Sequence, residues 1–563
     1  MTPLPTPTAD ASSPASVFAA ALLDGLVHHG VTDIVVSPGS RSQALALAAA
    51  ARDRAGAVSV HVRIDERVAG FTALGLAVES GRPVAVICTS GTAVANLHPA
   101  VLEAHHSGVG IIVLSADRPA ELRGIGSNQT TQQPGIFGEL VRADWDVVAP
   151  TGAPGELDEA RAIAELAVRA SVDGPVHVNL AFREPLSGPA AIPDALPNGP
   201  VPESPPRNSD VVDLSPDDAT VVIAGHGAGA AAEQLAVDLG APLIAEVSSG
   251  ARFGRHMVAA YRDVLRGPHG DAVGRAIVFG HPTLSREVPQ LLERADVDVI
   301  VVRSPGADDY NPGRRARIVD GVRVTAAPDP AVVRRWVGGW VSMSRAVLES
   351  DAPDDPAPDV TLAVPGDRGV RAAFAKAELA VLRAPIDRRM LARALWASTW
   401  PHDRLVLAAS RLIRVADAIV PGKAIRVHAN RGLAGIDGTI STATGIALAA
   451  VRGDHAGTTR VLIGDVATLH DAGALLVELP EGLRVHVFVG NDRGGTIFDE
   501  LEVAQSADPH DFDRVMRTPH RVDFAALAAA GGWAYRRATT RADLDDALTA
   551  PEPLLLVEVP LET

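Results

Sequence analysis

The sequence predicts an α/β protein of three doubly wound parallel-sheet domains. Short apolar runs ending in Gly, Ser or Asp alternate with Ala-rich amphipathic stretches along the whole chain, the pattern of strands buried on both faces and joined by crossover helices. At 563 residues the chain exceeds one ordinary core. Two Pro-rich stretches, 187–215 and 351–365, read as linkers and leave blocks at 14–186, 216–345 and 385–563. Apolar residues make up 47% and aromatics only 4%, so the cores must be built of Ala, Val, Leu and Ile.

In the first block, Ile34-Val35-Val36 runs into Ser37-Pro38-Gly39-Ser40-Arg41, and Val60-His61-Val62 into Arg63-Ile64-Asp65-Glu66-Arg67 and a Gly/Ala-rich helix. Val84-Ala85-Val86-Ile87 then leads to Thr89-Ser90-Gly91-Thr92, and Ile111-Ile112-Val113-Leu114 to Ser115-Ala116-Asp117-Arg118. The third block repeats this order. Leu405-Val406-Leu407 precedes Ser410-Arg411, Ile425-Arg426-Val427 precedes Asn430-Arg431-Gly432, and a second Gly/Ala-rich helix covers 442–450. Two related sheets with ligand loops at their strand C-termini are the economical explanation. The middle block carries strand-turn signals at 221–227 and 276–281, but Gly225-His226-Gly227-Ala228-Gly229 misses the G-x-G-x-x-G spacing of a dinucleotide loop.

A formal charge of −17 disfavours nucleic acid and anionic membrane as partners, so an anionic ligand must be captured by local Arg clusters. The single cysteine, Cys88, excludes an internal disulfide and reads as a buried strand thiol in a reducing compartment. The first 15 residues lack the basic flank and apolar stretch of a secretory signal. No apolar stretch approaches the roughly 20 residues that span a bilayer, and the expected location is the cytoplasm.

Chemistry enters at Gly464-Asp465 and at Asn491-Asp492-Arg493-Gly494-Gly495, each after an apolar run. The two acids stand 27 positions apart (465 to 492), enough for a strand, a crossover helix and the next parallel strand. Both then emerge at one sheet edge. Small residues let backbone N–H groups approach a diphosphate, and a hard cation, magnesium, fits between Asp465, Asp492 and a carbonyl near Gly494. This pairing suggests a thiamine diphosphate and metal site. Such a cofactor needs a carboxylic acid against its aminopyrimidine ring, and Glu66, following a strand and followed by small residues, is the candidate.

The strings Ser37-Pro38-Gly39-Ser40-Arg41-Ser42, Ile64-Asp65-Glu66-Arg67, Thr89 to Leu97, Ser115-Ala116-Asp117-Arg118-Pro119, Gly126-Ser127-Asn128-Gln129, Asn430 to Gly438 and Gly494-Gly495-Thr496-Ile497-Phe498 resemble one family of thiamine enzymes. That family is 2-succinyl-5-enolpyruvyl-6-hydroxy-3-cyclohexene-1-carboxylate synthase (MenD), of menaquinone biosynthesis. The resemblance implies the thiamine diphosphate-binding fold, with pyrimidine-binding, middle and diphosphate-binding domains. It implies decarboxylation of 2-oxoglutarate and 1,4-addition of the succinyl-semialdehyde unit to isochorismate. Two carboxylate substrates call for guanidinium forks. By resemblance, Ser40, Arg41, Arg118, Asn128, Gln129, Ser410, Arg414 and Arg431 line the substrate pocket, and Ile436 wedges the cofactor into its bent form. Cofactor contacts are implied for Glu66, Thr89, Gly91, Ser410, Ile436, Gly464, Asp465, Val466, Asp492, Gly494, Gly495, Thr496, Ile497 and Phe498, and metal ligation for Asp465, Asp492 and Gly494.

The chain departs from the thiamine-enzyme pattern in reading Gly464-Asp465-Val466 and Asn491-Asp492 where Gly-Asp-Gly and Asn-Asn are common. A second Asp keeps an oxygen donor and adds negative charge, so the metal is magnesium or manganese. Thr283-Leu284-Ser285-Arg286 resembles a basic substrate-contacting segment with one cation missing, leaving Arg286. The implied assembly is a homodimer or homotetramer with active sites at the subunit interface. The alternatives are another thiamine diphosphate carboligase or 2-oxoacid decarboxylase, and a non-catalytic regulatory protein on the same fold.

Overall fold

A computed structural model describes residues 13–188, 210–217, 219–306, 308–350, 368–452 and 457–561. Most of both Pro-rich stretches lies outside the described residues. The chain forms two compact units, one of Met1–Pro206, Pro305–Asp308 and Ser441–Gly453, the other of the remainder.

The first unit is built on a six-stranded parallel sheet of β1 (Asp33–Val36), β2 (Ser59–Val62), β3 (Val84–Cys88), β4 (Ile111–Asp117), β5 (Asp144–Val147) and β6 (Val176–Ala181), in the order β2-β1-β3-β4-β6-β5. Register pairs Val36 with Val62 and Ile87, and Ile87 with Leu114. The central strands β1, β3, β4 and β6 are buried throughout, as their unbroken apolar runs require when helices cover both faces. The helix Glu66–Ser80 begins where Asp65 accepts the N–H groups of Arg67 and Val68, and ends at Gly81 in the left-handed conformation. The helix Thr439–Ala450 packs on it from Ser441 onward at backbone distance. A Cβ on Gly75 would lie 2.0 Å from the Thr442 carbonyl oxygen, and one on Gly445 would lie 2.1 Å from that of Thr72. The Gly/Ala composition of these helices is therefore a packing requirement.

The second unit holds two larger sheets and one small one. Strands β7 (Val211–Leu214), β8 (Thr220–Ala224), β9 (Leu243–Ala245), β10 (Arg275–Phe279), β11 (Asp298–Val302), β12 (Arg317–Val319) and β13 (Gly321–Val324) form a five-stranded parallel sheet, β12-β11-β10-β8-β9, and a β13-β7 pair. Strands β14 (Arg404–Leu407), β15 (Arg426–His428), β16 (Thr459–Gly464), β17 (Val485–Asn491), β18 (Ala534–Arg537) and β19 (Leu554–Pro560) form a six-stranded parallel sheet in the order β15-β14-β16-β17-β19-β18. Strand for strand, this is the order of the first sheet, in agreement with the repeated order of strands and loops in the sequence. A helix at Arg368–Leu382 precedes the third block's expected start.

The two larger sheets of this unit are joined by a buried ionic knot. Asp417, on the helix Arg411–Ile419, accepts the Val247 N–H at 2.8 Å, the Tyr261 hydroxyl at 2.7 Å and Arg262 Nη2 at 2.5 Å. Arg252 donates to the carbonyls of Ala245, Asp417 and Val420. Both Asp417 oxygens and both terminal nitrogens of Arg252 have partners there, which offsets the cost of burying these charges.

Candidate active site

Each unit gathers predicted residues at the C-terminal ends of its strands, where a doubly wound sheet places its ligands. In the first unit β1 delivers Ser40 and Arg41, β2 delivers Glu66, β3 delivers Thr89 and Gly91, and β4 delivers Arg118. The loops interlock: a Cβ on Gly39 would meet Thr89 at 2.3 Å. Arg118 is buried and donates to Ser90 Oγ at 2.7 Å and to the Gln129 carbonyl at 2.6 Å. Its guanidinium is held below the usual arginine range, first by burial and then by the charge of Arg41. Arg41 itself donates to the Phe182 carbonyl at 3.1 Å. Gln129 takes a left-handed backbone conformation, φ 54°, and its side-chain amide donates to the Ser90 carbonyl. Asn128 sits in the same loop, its carbonyl accepting from Thr130.

Glu66 is the first residue of its helix and is half buried. The neighbouring Ile64 is 88% exposed, an apolar side chain beside the candidate acid left open among the described residues. Cys88 is fully buried, and burial pushes its thiol far up, so it is inert as the sequence suggested.

In the second unit, Ser410 caps the helix Arg411–Ile419, its hydroxyl accepting the Leu412 N–H at 3.1 Å, and Gly464 precedes the helix Asp465–His470. A Cβ on Gly464 would lie 3.9 Å from that of Ser410, so two helix N-termini open onto one small-residue cradle. Val466 N–H donates to Asp465 Oδ1 at 2.8 Å. Asp465 Oδ2 accepts the Gly494 N–H at 2.8 Å and lies 3.0 Å from His520 Nε2. Asp492 is partly buried: one oxygen accepts Arg388 Nη2 and the other Thr496 Oγ1, both at 2.6 Å. Burial raises the Asp492 carboxyl above its usual range and the Asp465 charge adds to the rise, against the pull of Thr496 and Arg388. Asn491 faces away, donating to Glu558 at 2.8 Å. Two repelling carboxylates and a hydroxyl fit a hard divalent cation, and the cradle fits a diphosphate. Gly494 contributes its N–H to Asp465, while its carbonyl accepts from Thr496 at 3.0 Å. Gly495, Ile497 and Phe498 follow in the same turn, where a Cβ on Gly495 would touch the Phe498 ring at 3.1 Å.

The remaining arginines converge on the middle-block segment. Arg431 Nη2 donates to Thr283 Oγ1 at 2.6 Å, and Arg414 Nη1 reaches the Leu284 carbonyl at 3.4 Å. Arg286, in the same segment, is exposed. Ile436 is 37% exposed and so is no core isoleucine.

Sequence reasoning missed Gln133, Glu246, Arg388 and His520. Glu246 is buried under the Thr283–Arg286 segment and accepts the N–H groups of Thr283 and Leu284 at 2.8 and 2.6 Å. Burial, with the charge of Asp417, raises its carboxyl well above the usual range. Glu246 carries only a weak signal, the Ala-Glu-Val that ends β9, and Arg388 only the Asp387 N-cap before it.

Residues 17–137 match the family described as thiamine pyrophosphate enzyme, N-terminal TPP binding domain. The 2-succinyl-5-enolpyruvyl-6-hydroxy-3-cyclohexene-1-carboxylate synthase of Leifsonia xyli subsp. xyli (strain CTCB07) is 56% identical, over 98% of this chain and 97% of its own. The chain belongs to this synthase family. Members from Clavibacter michiganensis subsp. michiganensis (strain NCPPB 382) and Kineococcus radiotolerans are 55% and 43% identical, each over 96% of its length. Among solved structures, benzoylformate decarboxylase from Polynucleobacter necessarius superposes with a TM-score of 0.63 over 97% of this chain and 98% of its own, at 15% identity, a likeness of fold alone. The chain is thus a thiamine diphosphate-dependent synthase of the α/β thiamine diphosphate-binding fold.

Proposed function

We propose that the chain decarboxylates 2-oxoglutarate and adds the succinyl-semialdehyde unit in a 1,4 sense to isochorismate, giving 2-succinyl-5-enolpyruvyl-6-hydroxy-3-cyclohexene-1-carboxylate for menaquinone biosynthesis. The observation that carries the site reading is Arg118, a buried guanidinium at the end of β4 held on two neutral oxygens, the Ser90 hydroxyl and the Gln129 carbonyl. Asp117 and Arg41 act on this guanidinium in opposite senses, and a carboxylate is the ligand its fork fits; both substrates are carboxylates.

Bound thiamine diphosphate supplies the electron sink for decarboxylation. The cradle between Ser410 and Gly464 would hold its diphosphate, and Asp465, Asp492 and the Gly494 carbonyl would hold magnesium or manganese. Thr89 and Gly91 in the first unit and Ile436 in the second are further cofactor contacts, and Val466, Gly495, Thr496, Ile497 and Phe498 would close the diphosphate end. Glu66 holds a proton toward the aminopyrimidine end. The groups offered to the carboxylates are Arg41 and Arg118 with Ser40, Asn128 and Gln129 in the first unit, and Arg414 and Arg431 with Ser410 and Arg286 in the second. The exposed apolar flank of Glu66 supports a homodimer or homotetramer in which a second subunit covers it, and the lack of a long apolar helix among the described residues is compatible with a cytoplasmic enzyme. The three sequence blocks are the pyrimidine-binding, middle and diphosphate-binding domains.

The decisive assay supplies thiamine diphosphate, magnesium, 2-oxoglutarate and isochorismate, with pyruvate as control donor. Carbon dioxide release and adduct formation with 2-oxoglutarate alone are expected; a preference for pyruvate, or no adduct, defeats the assignment. Glu66→Gln is expected to lower turnover at least 100-fold while cofactor binding stays measurable.

A further inference from the structure

Gln133 lies in the loop after β4 with none of its surface exposed, and its carboxamide meets three segments of the first unit at once. Oε1 accepts the Gly91 N–H at 3.1 Å. Nε2 faces Asn179 Oδ1 at 2.7 Å, the Ala116 carbonyl at 3.1 Å and Ser115 Oγ at 3.2 Å. Asn179 in turn donates through Nδ2 to Asp117 at 3.1 Å and to Asp146 at 2.8 Å. Ionised carboxylates only accept, so the Asn179 amide has one orientation, nitrogen toward the acids and oxygen toward Gln133. That oxygen requires the Gln133 nitrogen, which leaves the Gln133 oxygen for Gly91. A directed chain of amides therefore runs from two carboxylates to the loop after β3.

What the chain holds in place is the seat of Arg118. Gly91 has φ 80°, and the adjoining Ser90 hydroxyl both accepts from Arg118 and donates to the Gln129 carbonyl at 2.9 Å, the second anchor of Arg118. Fixing the Gly91 N–H fixes the Ser90 hydroxyl, and with it the guanidinium.

We propose that Gln133 is a positioning residue that presets the Thr89–Thr92 loop and Arg118 for ligand binding. This rests on the reading that Arg118 lines the substrate pocket and that Thr89 and Gly91 contact the cofactor. Gln133→Glu keeps the shape but, when ionised, offers no donor and opposes oxygen to oxygen at Asn179 and Ala116; when protonated it keeps one O–H in place of two N–H donors.

The test compares Gln133→Glu and Gln133→Asn with Asp144→Asn. Asp144 ends the same network through His177 at 2.9 Å and then Ser115 at 2.7 Å, without touching Gln133 or the loop. Hydrogen exchange of the 88–97 segment, KM and kcat for both substrates, and the thermal midpoint are measured for each. In the Gln133 variants the segment is expected to exchange about tenfold faster and KM for at least one substrate to rise about tenfold, roughly the loss of one buried hydrogen bond, with a smaller change in kcat. Asp144→Asn lowers the midpoint with KM unchanged. Unchanged exchange in both Gln133 variants, or a KM that follows the midpoint equally in all three, overturns the proposal. Arg118→Ala run alongside separates the two ideas: if it raises KM while the Gln133 variants match wild type, only the role of Gln133 fails, and if its own KM is wild type, the reading of the pocket fails.

Discussion

His486 shows how a single buried side chain ties stability to pH. Its Nε2 lies 2.7 Å from the Glu552 carbonyl, which makes Nε2 the donor and leaves Nδ1 buried without a partner among the described residues. Burial pushes the imidazole down to about 4, and the Arg484 and Arg460 charges push the same way against the carbonyl bond. The unfolded chain binds a proton near pH 6.5 that the folded chain refuses until about pH 4, so stability is complete above 6.5 and is lost as pH falls through this window. His486→Gln keeps a donor for Glu552 and removes the titration. Urea unfolding at pH 7 and 4.5 should show the variant losing about 2–3 kcal/mol less than the parent between the two pH values. At the same scale, Asp492 rather than Asn491 turns toward Asp465, because Asn491 is committed to Glu558. The sequence already favoured Asp492 on donor chemistry; the side-chain direction came only with the neighbouring strand β19.

Among the elements, the crossing of the helices Glu66–Ser80 and Thr439–Ala450 is the most demanding contact in the first unit. At Gly75 a methyl group would need the space of a carbonyl oxygen 2.0 Å away, and backbone cannot yield as a side-chain tip can. Gly75→Ala raises intrinsic helix propensity yet is expected to destabilise by about 1–3 kcal/mol, because overpacking outweighs propensity. A denaturant midpoint equal to or above the parent's would refute this. Composition marked both helices as Gly-rich, but which glycines face each other was not legible. That depends on the crossing geometry of segments separated by more than 360 positions. Strand positions, by contrast, were legible almost to the residue, as at β16 and β17, because a buried parallel strand declares itself by a local apolar run.

For the whole molecule, the Asp417 knot accounts for the sequence's middle and third blocks sharing one compact unit. Asp417→Ala leaves Arg252 and Arg262 with buried, uncompensated charge, and the expected cost is about 3–5 kcal/mol. A thermal scan should show the midpoint falling by several degrees; a shift within error would remove the knot from the account of that junction. Nothing local announces Asp417. It looks like an ordinary acid in an amphipathic helix, and its partners lie up to 170 positions away. The same holds for Gln133, whose importance is visible only once β3, β4 and β6 stand side by side. By itself, the sequence determined the α/β class, the repeated order of strands and ligand loops, and the chemistry of those loops, since each is written in contiguous residues with a period or a turn signature. Only the tertiary structure decided which polar side chains are buried together, which way each amide points and which glycines touch, because those energies belong to pairs that the chain brings together by folding.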